Sequence, residues 1–218
     1  MSSSQSAQRD FYETTYHFDN DVRIAMEPRI RRALDLLTPH PGTDFLDLGS
    51  GVGWAAHFMA EDGARVAVGF DFALKALLLG QQHITDVERV QGDGGMLPFR
   101  DNSFDRALSF GSLEHFPDVD KGLRELARVL RADGIAVVVV PNFFSRTEQP
   151  QELRLSYAGW RKRFEAAGMR ITGTKADPGP PVLKDRRPVR MAIRVVTNTL
   201  AYIPYLPYQF IFKLEHAR

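Results

Sequence analysis

Short apolar runs alternate with amphipathic stretches along most of the chain, and this alternation predicts strands separated by helices. Seven runs have the length and composition of buried or half-buried strands: 44–48, 65–70, 88–91, 104–110, 135–140, 169–175 and 208–215. Helical spacing of apolar residues covers four intervening stretches: 54–61, 72–82, 119–130 and 156–167. Since strands that alternate with helices are joined by right-handed crossovers, we expect a Rossmann-like α/β fold, with a mostly parallel seven-stranded sheet and helices on both faces.

One strand stands out because it has no polar position. Residues 135–140 are continuously apolar, which is typical of a central parallel strand covered on both faces, and the preceding Asp133-Gly134 predicts a turn. Open parallel sheets bind their ligands at the carboxyl ends of their strands. We therefore expect the functional residues in the loops that follow these strands.

Two flanking regions extend this core. Residues 11–37 have helical spacing, with Pro28 dividing two helices, and we interpret residues 1–42 as an N-terminal helical lid or flank. Residues 43–142 form the core, and residues 143–218 form a C-terminal part with a helix at 189–203 inserted before the last strand. We expect a single domain over 1–218, because the pattern shows neither repeats nor a second core.

Composition narrows the function classes. The 28 Lys and Arg residues balance 27 Asp and Glu residues, so the formal charge of +1 does not favour nucleic acid as a partner. The chain has no cysteine, which excludes disulfides and thiolate chemistry and fits a reducing, cytoplasmic location. No stretch resembles a signal peptide or a transmembrane segment, and no metal site is indicated.

The strongest local signal is a glycine turn between the first strand and a helix. Gly49, Gly51 and Gly53 follow Asp47, and a helix N-terminus beyond such a turn offers unpaired N–H groups to a ligand. The spacing differs from the dinucleotide fingerprint G-x-G-x-x-G, because Trp54 stands where that fingerprint has its third glycine. The turn alone is therefore a weak indication of any particular cofactor.

Two further carboxylates follow the next two strands. Asp71 ends the second strand, where a carboxylate can bind the two hydroxyls of a ribose. The alternative is that it caps the helix that begins near Phe72, and the two roles could coexist. Asp93 follows the third strand within the block Gly92-Asp93-Gly94-Gly95-Met96. Met96, Leu97 and Phe99 of this segment could instead pack under the sheet.

The blocks FLDLGSGVGW, VGFDF, VQGDGGMLPFRDNSFDRALSFGSLEHF and LRELARVLRADGIAVVVVPN, taken in this order, resemble the class I S-adenosylmethionine (SAM)-dependent methyltransferases. The resemblance is to their small-molecule branch, which includes the ubiquinone and menaquinone enzymes, and it covers residues 45–142. It implies a methyl transfer from SAM that leaves S-adenosylhomocysteine (SAH). One departure is that many relatives have a small residue and then an acidic one after the aspartate, whereas Gly94-Gly95 supplies no side chain here.

The resemblance also implies roles for individual residues. Asp47 and the turn would hold the methionine part of SAM, Asp71 the ribose hydroxyls, and Asp93 the adenine amino group. The full set of predicted cofactor contacts is Asp47, Gly49, Ser50, Gly51, Gly53, Asp71, Phe72, Asp93, Gly94, Met96 and Phe110.

Methyl transfer needs a nucleophile held in line with the sulfonium and does not always need a base. If the acceptor is a hydroxyl or an acidic C–H, His115 in the loop after the fourth strand is the candidate base, although histidines there also pack structurally. His17 is a second candidate. The aromatic residues Phe11, Tyr12, Tyr16 and Phe18 predict either a lid that excludes water or an ordinary packed helix.

The acceptor itself is not specified by the sequence. We expect a small molecule, such as a natural product, a quinone-like compound or a lipid-linked compound, methylated on oxygen, nitrogen or carbon. The basic and aromatic region 184–208 has three interpretations: a solvated face, an acceptor or dimer contact, or a peripheral membrane contact. A monomer and a homodimer both remain open, and the alternative functions are a SAM-binding protein without catalysis and a nicotinamide-dependent oxidoreductase.

Overall fold

The computed structural model describes residues 20–143, 152–177 and 207–217. Its strands are β1 Asp44–Leu48, β2 Val66–Asp71, β3 Glu88–Gln91, β4 Phe104–Phe110, β5 Leu130–Pro141, β6 Met169–Asp177 and β7 Gln209–His216. Its α-helices are α1 Asn20–Leu34, α2 Trp54–Glu61, α3 Leu74–His83, α4 Val119–Val129 and α5 Tyr157–Ala166. Two short 3-10 turns cover Asp35–Leu37 and Leu113–His115.

The strands form one sheet in the order β3-β2-β1-β4-β5-β7-β6. The first five strands in this order run parallel to one another, whereas β7 runs antiparallel to both β5 and β6. The predicted fold class is therefore confirmed. Because β7 is reversed, its first residue, Gln209, lies beside Pro141 and Asp177, the last residues of β5 and β6. Residues from both ends of the C-terminal part thus meet at the carboxyl edge of the sheet.

The core lies on both faces of the sheet, as the apolar run of β5 predicts. Val138 and Val140 pack on one face with buried residues of α4 and α5, including Leu126 and Trp160. Val137 and Val139 pack on the other face with buried residues of α1 and α2. Each of these valines is fully buried. Because helices cover both faces of the sheet, ligands have access at its carboxyl and amino edges, where the strands end and begin.

Two sequence predictions are wrong. Pro28 does not divide two helices, because α1 runs unbroken from Asn20 to Leu34 with Pro28 inside it. Its C-terminal half buries Ile30, Ala33 and Leu34 against the sheet, and this packing offsets the backbone hydrogen bond that a proline removes. The other error concerns the start of β5.

Asp133-Gly134 does not form a turn between a helix and a strand. It belongs to β5, which begins at Leu130, and the pairing with β4 shifts from Phe104↔Leu130 to Arg106↔Ile135. The residues predicted as a turn therefore form an irregularity within a longer strand. The shift is stabilised at its start by Arg131, whose guanidinium contacts Asp44 at 2.9 Å and Asp105 at 2.5 Å.

Several predictions lie outside the described residues. These are the lid aromatics with His17, the inserted helix at 189–203, and region 184–208 apart from its last two residues. The proposed division of the chain into lid, core and C-terminal part is likewise still a prediction. Among the helices that the structure describes, none has the length and apolar character needed to cross a membrane.

Candidate cofactor and methyl-transfer site

The glycine turn after β1 has a backbone that side chains would strain. Gly49, Gly51 and Gly53 have φ angles of +79°, +55° and +95°, in the left-handed region that favours glycine. The backbone N–H groups of Gly49 and Ser50 donate to the carbonyl of Phe70, at 2.7 and 3.0 Å. The turn is thereby fixed to the end of β2, directly before Asp71.

Asp71 joins the turn to the start of α3. Its Oδ2 accepts a hydrogen bond from the Gly51 N–H at 2.7 Å, and its Oδ1 accepts one from the Ala73 N–H at 2.8 Å. The residue is 3% exposed. The residue in the N-cap position of α3 is Ala73, so Asp71 is not the N-cap of this helix. The carboxylate instead orients the two loops that end β1 and β2.

Asp47 is a buried carboxyl group whose environment disfavours charge. It is 2% exposed, and its Oδ2 accepts a hydrogen bond of 3.3 Å from the Ala56 N–H in the first turn of α2. Burial raises the pKa of Asp47 from 3.8 to about 7, a rise opposed by the Ala56 hydrogen bond and increased by the charge of Asp71. A cationic group placed beside these two carboxyl groups would be attracted to both.

Asp93 organises the loop that follows β3. Its Oδ1 accepts from the Gly95 N–H and its backbone carbonyl from the Met96 N–H, each at 2.8 Å. The Gly92 N–H donates to the carbonyl of Asp71 at 3.1 Å, which connects this loop to the end of β2. Asp93 is exposed, and the turn leaves its other oxygen Oδ2 for a ligand.

The hydrophobic residues of this loop have different environments. Met96 is 69% exposed, so it does not pack under the sheet. Leu97 is buried, and Phe99 packs edge-on against Phe70 and Phe104, with ring centroids 6.0 and 5.0 Å away. Packing therefore explains Leu97 and Phe99, while Met96 is accessible to a ligand. Phe72, the other predicted flanking residue, is half-buried.

The loop after β4 contains the candidate base. His115 is 6% exposed in the 3-10 turn Leu113–His115, and its Nε2 lies 4.0 Å from Oε1 of Glu114. Burial raises the pKa of Glu114 from 4.5 to about 8, and the charge of Glu152 adds to the rise, although a backbone hydrogen bond opposes it. Oε2 of Glu114 is buried and has no hydrogen-bond partner.

Phe110, the last residue of β4, contacts a side chain of α1. The guanidinium of Arg29 lies 5.3 Å from the centroid of its ring. The same guanidinium donates to Asp177 at 2.5 Å and to Gln209 at 2.9 Å. Phe110 is thus at the predicted edge of the sheet, next to an ion pair that joins α1 to β6.

Sequence reasoning missed several residues of this region. Ser112 and Phe116 contact the two predicted cofactor loops, and although both lie in a block that carries the family resemblance, the sequence assigned neither of them a role. The ion pair of Arg29 with Asp177 joins residues far apart in the chain, so no local pattern could have revealed it. Gly49 and Gly94 were the one available signal, since a glycine often marks a place where another part of the chain packs closely against the backbone.

A groove of about 680 Å³ lies at the opposite, amino edge of the sheet. Asn102, Asp133, Arg170 and Glu215 are among the residues that line it. None of the predicted site residues lines this groove. The candidate site is therefore defined by the carboxyl edge and its loops, as expected for an open α/β sheet.

Comparison with known proteins finds similarity over the part of the chain that contains the predicted site residues. Residues 46–138 match the family model described as a methyltransferase domain, and this range includes the glycine turn, Asp71, Asp93 and the loop after β4. Residues 46–138, somewhat less than half of the chain, are thus similar to a methyltransferase domain, and this bears out the resemblance to SAM-dependent methyltransferases and the cofactor that it implies.

Curated relatives are similar over part of their length. A demethylmenaquinone methyltransferase of Corynebacterium kroppenstedtii is 46% identical over 99 residues, which are 45% of this chain and 42% of that protein. This chain matches about half the length of the curated demethylmenaquinone methyltransferases to which it is similar. The similarity thus includes the residues that match the methyltransferase-domain model, and it gives less information about the residues that bind the methyl acceptor.

Solved structures show the same fold at low identity. The 1,6-didemethyltoxoflavin-N1-methyltransferase of Burkholderia thailandensis, solved with its substrate and SAH, has a TM-score of 0.68 and 20% identity. That match covers 100% of this chain and 92% of the other. The [4+2]-cyclase SpnF has a TM-score of 0.65 and 21% identity, covering 87% of this chain and 80% of that one. These likenesses concern the fold of the methyltransferase domain.

Proposed function

We propose that the protein transfers a methyl group from SAM to a small-molecule acceptor. The observation that supports this most directly is the arrangement of three carboxyl groups at the carboxyl ends of the adjacent strands β1, β2 and β3. Asp47 and Asp71 lie within the last two residues of β1 and β2, and Asp93 lies in the loop after β3. The glycine turn lies among them and is hydrogen-bonded to Asp71. The match to the methyltransferase-domain family covers the same residues.

The residues present fit this cofactor. SAM carries a sulfonium and an ammonium, and Asp47 and Asp71 supply negative charge that burial would otherwise make costly. We propose that Asp47 and the turn Gly49, Ser50, Gly51 and Gly53 hold the methionine part, and that Asp71 binds the ribose. Asp93 and the backbone of Gly94 would bind the adenine, with Phe72 and Met96 beside the ring and Phe110 near the reacting end.

Bound SAM supplies an activated methyl group, so the protein's own contribution is to position the acceptor and to manage its proton. His115 is the proposed base for a hydroxyl or an acidic C–H acceptor. Its position, in the loop after β4, supports this role because that loop borders the carboxyl edge of the sheet. Its burial also suits a packing role, and we separate the two roles with a variant below.

The names of the similar curated proteins support a class of acceptor. Because the similar curated proteins are demethylmenaquinone methyltransferases, we propose a quinone-like, lipid-linked or natural-product acceptor. The region 184–208 is our candidate for contact with such an acceptor, a second subunit or a membrane surface. Co-sedimentation with liposomes would separate membrane contact from the other two roles.

Calorimetry is the first test of the proposed function. Titration with SAM and with SAH should give saturable binding at one site, and NAD should give none. Screening of acceptors by release of SAH then identifies the substrate. Binding of NAD with no binding of SAM would overturn the proposal and would favour an oxidoreductase.

A second candidate function is binding of SAM without methyl transfer. The fold is similar to that of a [4+2]-cyclase, and since one fold can support unrelated reactions, this similarity supports a function other than methyl transfer as the second candidate. The two functions differ in one measurement. A transferase releases SAH in the presence of its acceptor, whereas a protein that only binds SAM retains the cofactor intact with every acceptor tested.

A further inference from the structure

The loop after β4 contacts both of the loops that we assign to the cofactor. We define the β4–α4 loop as residues 111–118, between the end of β4 and the start of α4. Oγ of Ser112 donates a hydrogen bond of 2.9 Å to the carbonyl oxygen of Gly49. A Cβ atom built on Gly49 would lie 2.3 Å from Cβ of Ser112, closer than any real contact. Ser112 therefore sits directly on the first residue of the glycine turn.

Four residues after Ser112, the β4–α4 loop also contacts the loop after β3, which we call the adenine loop because Asp93 and Gly94 are its proposed adenine contacts. A Cβ atom built on Gly94 would lie 2.2 Å from Cε2 and 2.4 Å from Cζ of the Phe116 ring. The same ring also meets α4, where a Cβ on Gly122 would lie 2.6 Å from Cδ2. The ring thus occupies the space that side chains at positions 94 and 122 would fill. A side chain at position 94 would therefore require the Phe116 ring to move.

The two contact points are held at a fixed spacing. The His115 N–H donates to the Ser112 carbonyl at 3.0 Å, and the Phe116 N–H donates to the Leu113 carbonyl at 3.1 Å. Leu113, between them, is fully buried. The backbone from Ser112 to Phe116 is therefore a short hydrogen-bonded turn anchored in the core, and it spans from the glycine turn to the adenine loop.

We propose that Ser112 and Phe116 are positioning residues that set the separation of the two cofactor loops. Ser112 fixes the carbonyl of Gly49, and Phe116 supports the backbone at Gly94. Neither residue needs to touch the reacting atoms for this role. The proposal rests on the proposed function, because it assumes that SAM and SAH bind across these two loops.

The test of Ser112 uses SAH as a probe in calorimetry, so that no acceptor is needed. Ser112→Ala keeps the Cβ atom of residue 112 and removes only the hydroxyl that donates to the Gly49 carbonyl. We expect its SAH affinity to fall about threefold to tenfold, the range for one hydrogen bond. The matched control is Ser103→Ala, since Oγ of Ser103 also donates to a backbone carbonyl, that of Arg100, at 2.7 Å. The control should bind SAH like the wild type.

The test of Phe116 is a double-mutant cycle with Gly94→Ala. The added methyl group would meet Cε2 and Cζ of the ring, which a leucine lacks. Gly94→Ala should therefore weaken SAH binding strongly in the wild type, and much less in the Phe116→Leu background. Such coupling would not arise from a general loss of stability.

The outcomes are distinct. If the wild-type protein does not bind SAH, the proposed function fails, and this inference fails with it. If the wild type binds SAH but Ser112→Ala and Ser103→Ala have equal affinities, the role of Ser112 is overturned. Additive effects of Gly94→Ala and Phe116→Leu would overturn the role of Phe116, while leaving the proposed function intact.

Discussion

Among single residues, His115 has two roles to separate, because it is both a candidate base and a buried side chain. His115→Ala should cut turnover by about 10²-fold to 10⁴-fold if the imidazole takes the acceptor's proton. SAM affinity should remain close to that of the wild type. The measurement is steady-state release of SAH with the acceptor found by screening. His57→Ala is the control, since His57 lies on the surface beside Asp86. Unaltered turnover would assign His115 to packing.

Asp47 predicts a pH dependence of cofactor binding. With a pKa of about 7 it is largely protonated at pH 5.5, and only its ionised form attracts the cationic end of SAM. Affinity should therefore rise with pH from 5.5 to 7, approaching about tenfold per unit, and binding should release protons. Calorimetry in buffers of different ionisation enthalpy measures both effects. Asp47→Asn should bind weakly at every pH, and a wild-type affinity that is independent of pH would contradict the placement of Asp47.

Glu114 predicts a pH dependence of stability. Its pKa is about 8 in the folded protein and close to 4.5 when unfolded, so the folded state binds the extra proton between these values. Stability should therefore fall as pH rises through this window. Glu114→Gln removes the ionisation and should be more stable relative to wild type at pH 9 than at pH 6, by on the order of a few kcal/mol.

Urea unfolding at both pH values measures this difference. The control is Glu165→Gln, because Glu165 is 59% exposed in a surface pair with Arg161. Its stability relative to the wild type should not change with pH. The interpretation of Glu114 fails if the two variants respond alike.

For single residues, the sequence predicted which carboxyl groups belong to the candidate site, but it did not predict their burial or their hydrogen bonds. Asp47, Asp71 and Asp93 could be found because each lies at or just after the end of a predicted strand. The burial that raises the pKa of Asp47 could not be predicted, since it depends on strands and helices folded around it. The hydrogen bonds of Asp71 to Gly51 and Ala73 were equally invisible, because they need the positions of two loops.

At the scale of elements, the attachment of α1 to the sheet depends on Arg29. Its guanidinium pairs with Asp177, which is 1% exposed, and with Gln209. Arg29→Met would remove the positive charge from beside a buried carboxylate, so we expect a loss of about 3 kcal/mol in the free energy of unfolding. Arg161→Met, which removes an exposed pair, should cost about 1 kcal/mol or less. Equal costs in urea unfolding would contradict the importance of the Arg29 pair.

The elements show where local patterns suffice. The bounds predicted for α2, β3 and β4 agree with the structure, because glycine or other turn-forming residues adjoin each of these elements in the sequence. The errors at Pro28 and at Asp133-Gly134 have a common cause. In both places a local breaking signal is outweighed by contacts with distant parts of the chain, namely the packing of α1 and the pairing of β5 with β4.

At the scale of the whole molecule, the alternation of strands and helices predicted the fold class but not the order of strands. The place of β7 between β5 and β6, and its reversed direction, depend on pairing that no local pattern encodes. The consequence for function is that the two edges of the sheet differ. The carboxyl edge gathers the predicted cofactor loops, and the amino edge holds the groove lined by Asn102 and Asp133.

This difference between edges predicts how cofactor binding should protect the backbone. Saturating SAH should slow amide exchange together in three segments: 49–53, 71–73 and 92–96. One ligand across three hydrogen-bonded loops must restrain all of them, since the Gly51 N–H bonds to Asp71 and the Gly92 N–H to its carbonyl. Residues 132–135, at the amino edge, should exchange as before and serve as the internal control. Protection confined to the amino edge would place the ligand in the groove and would refute the assignment of the three carboxyl groups.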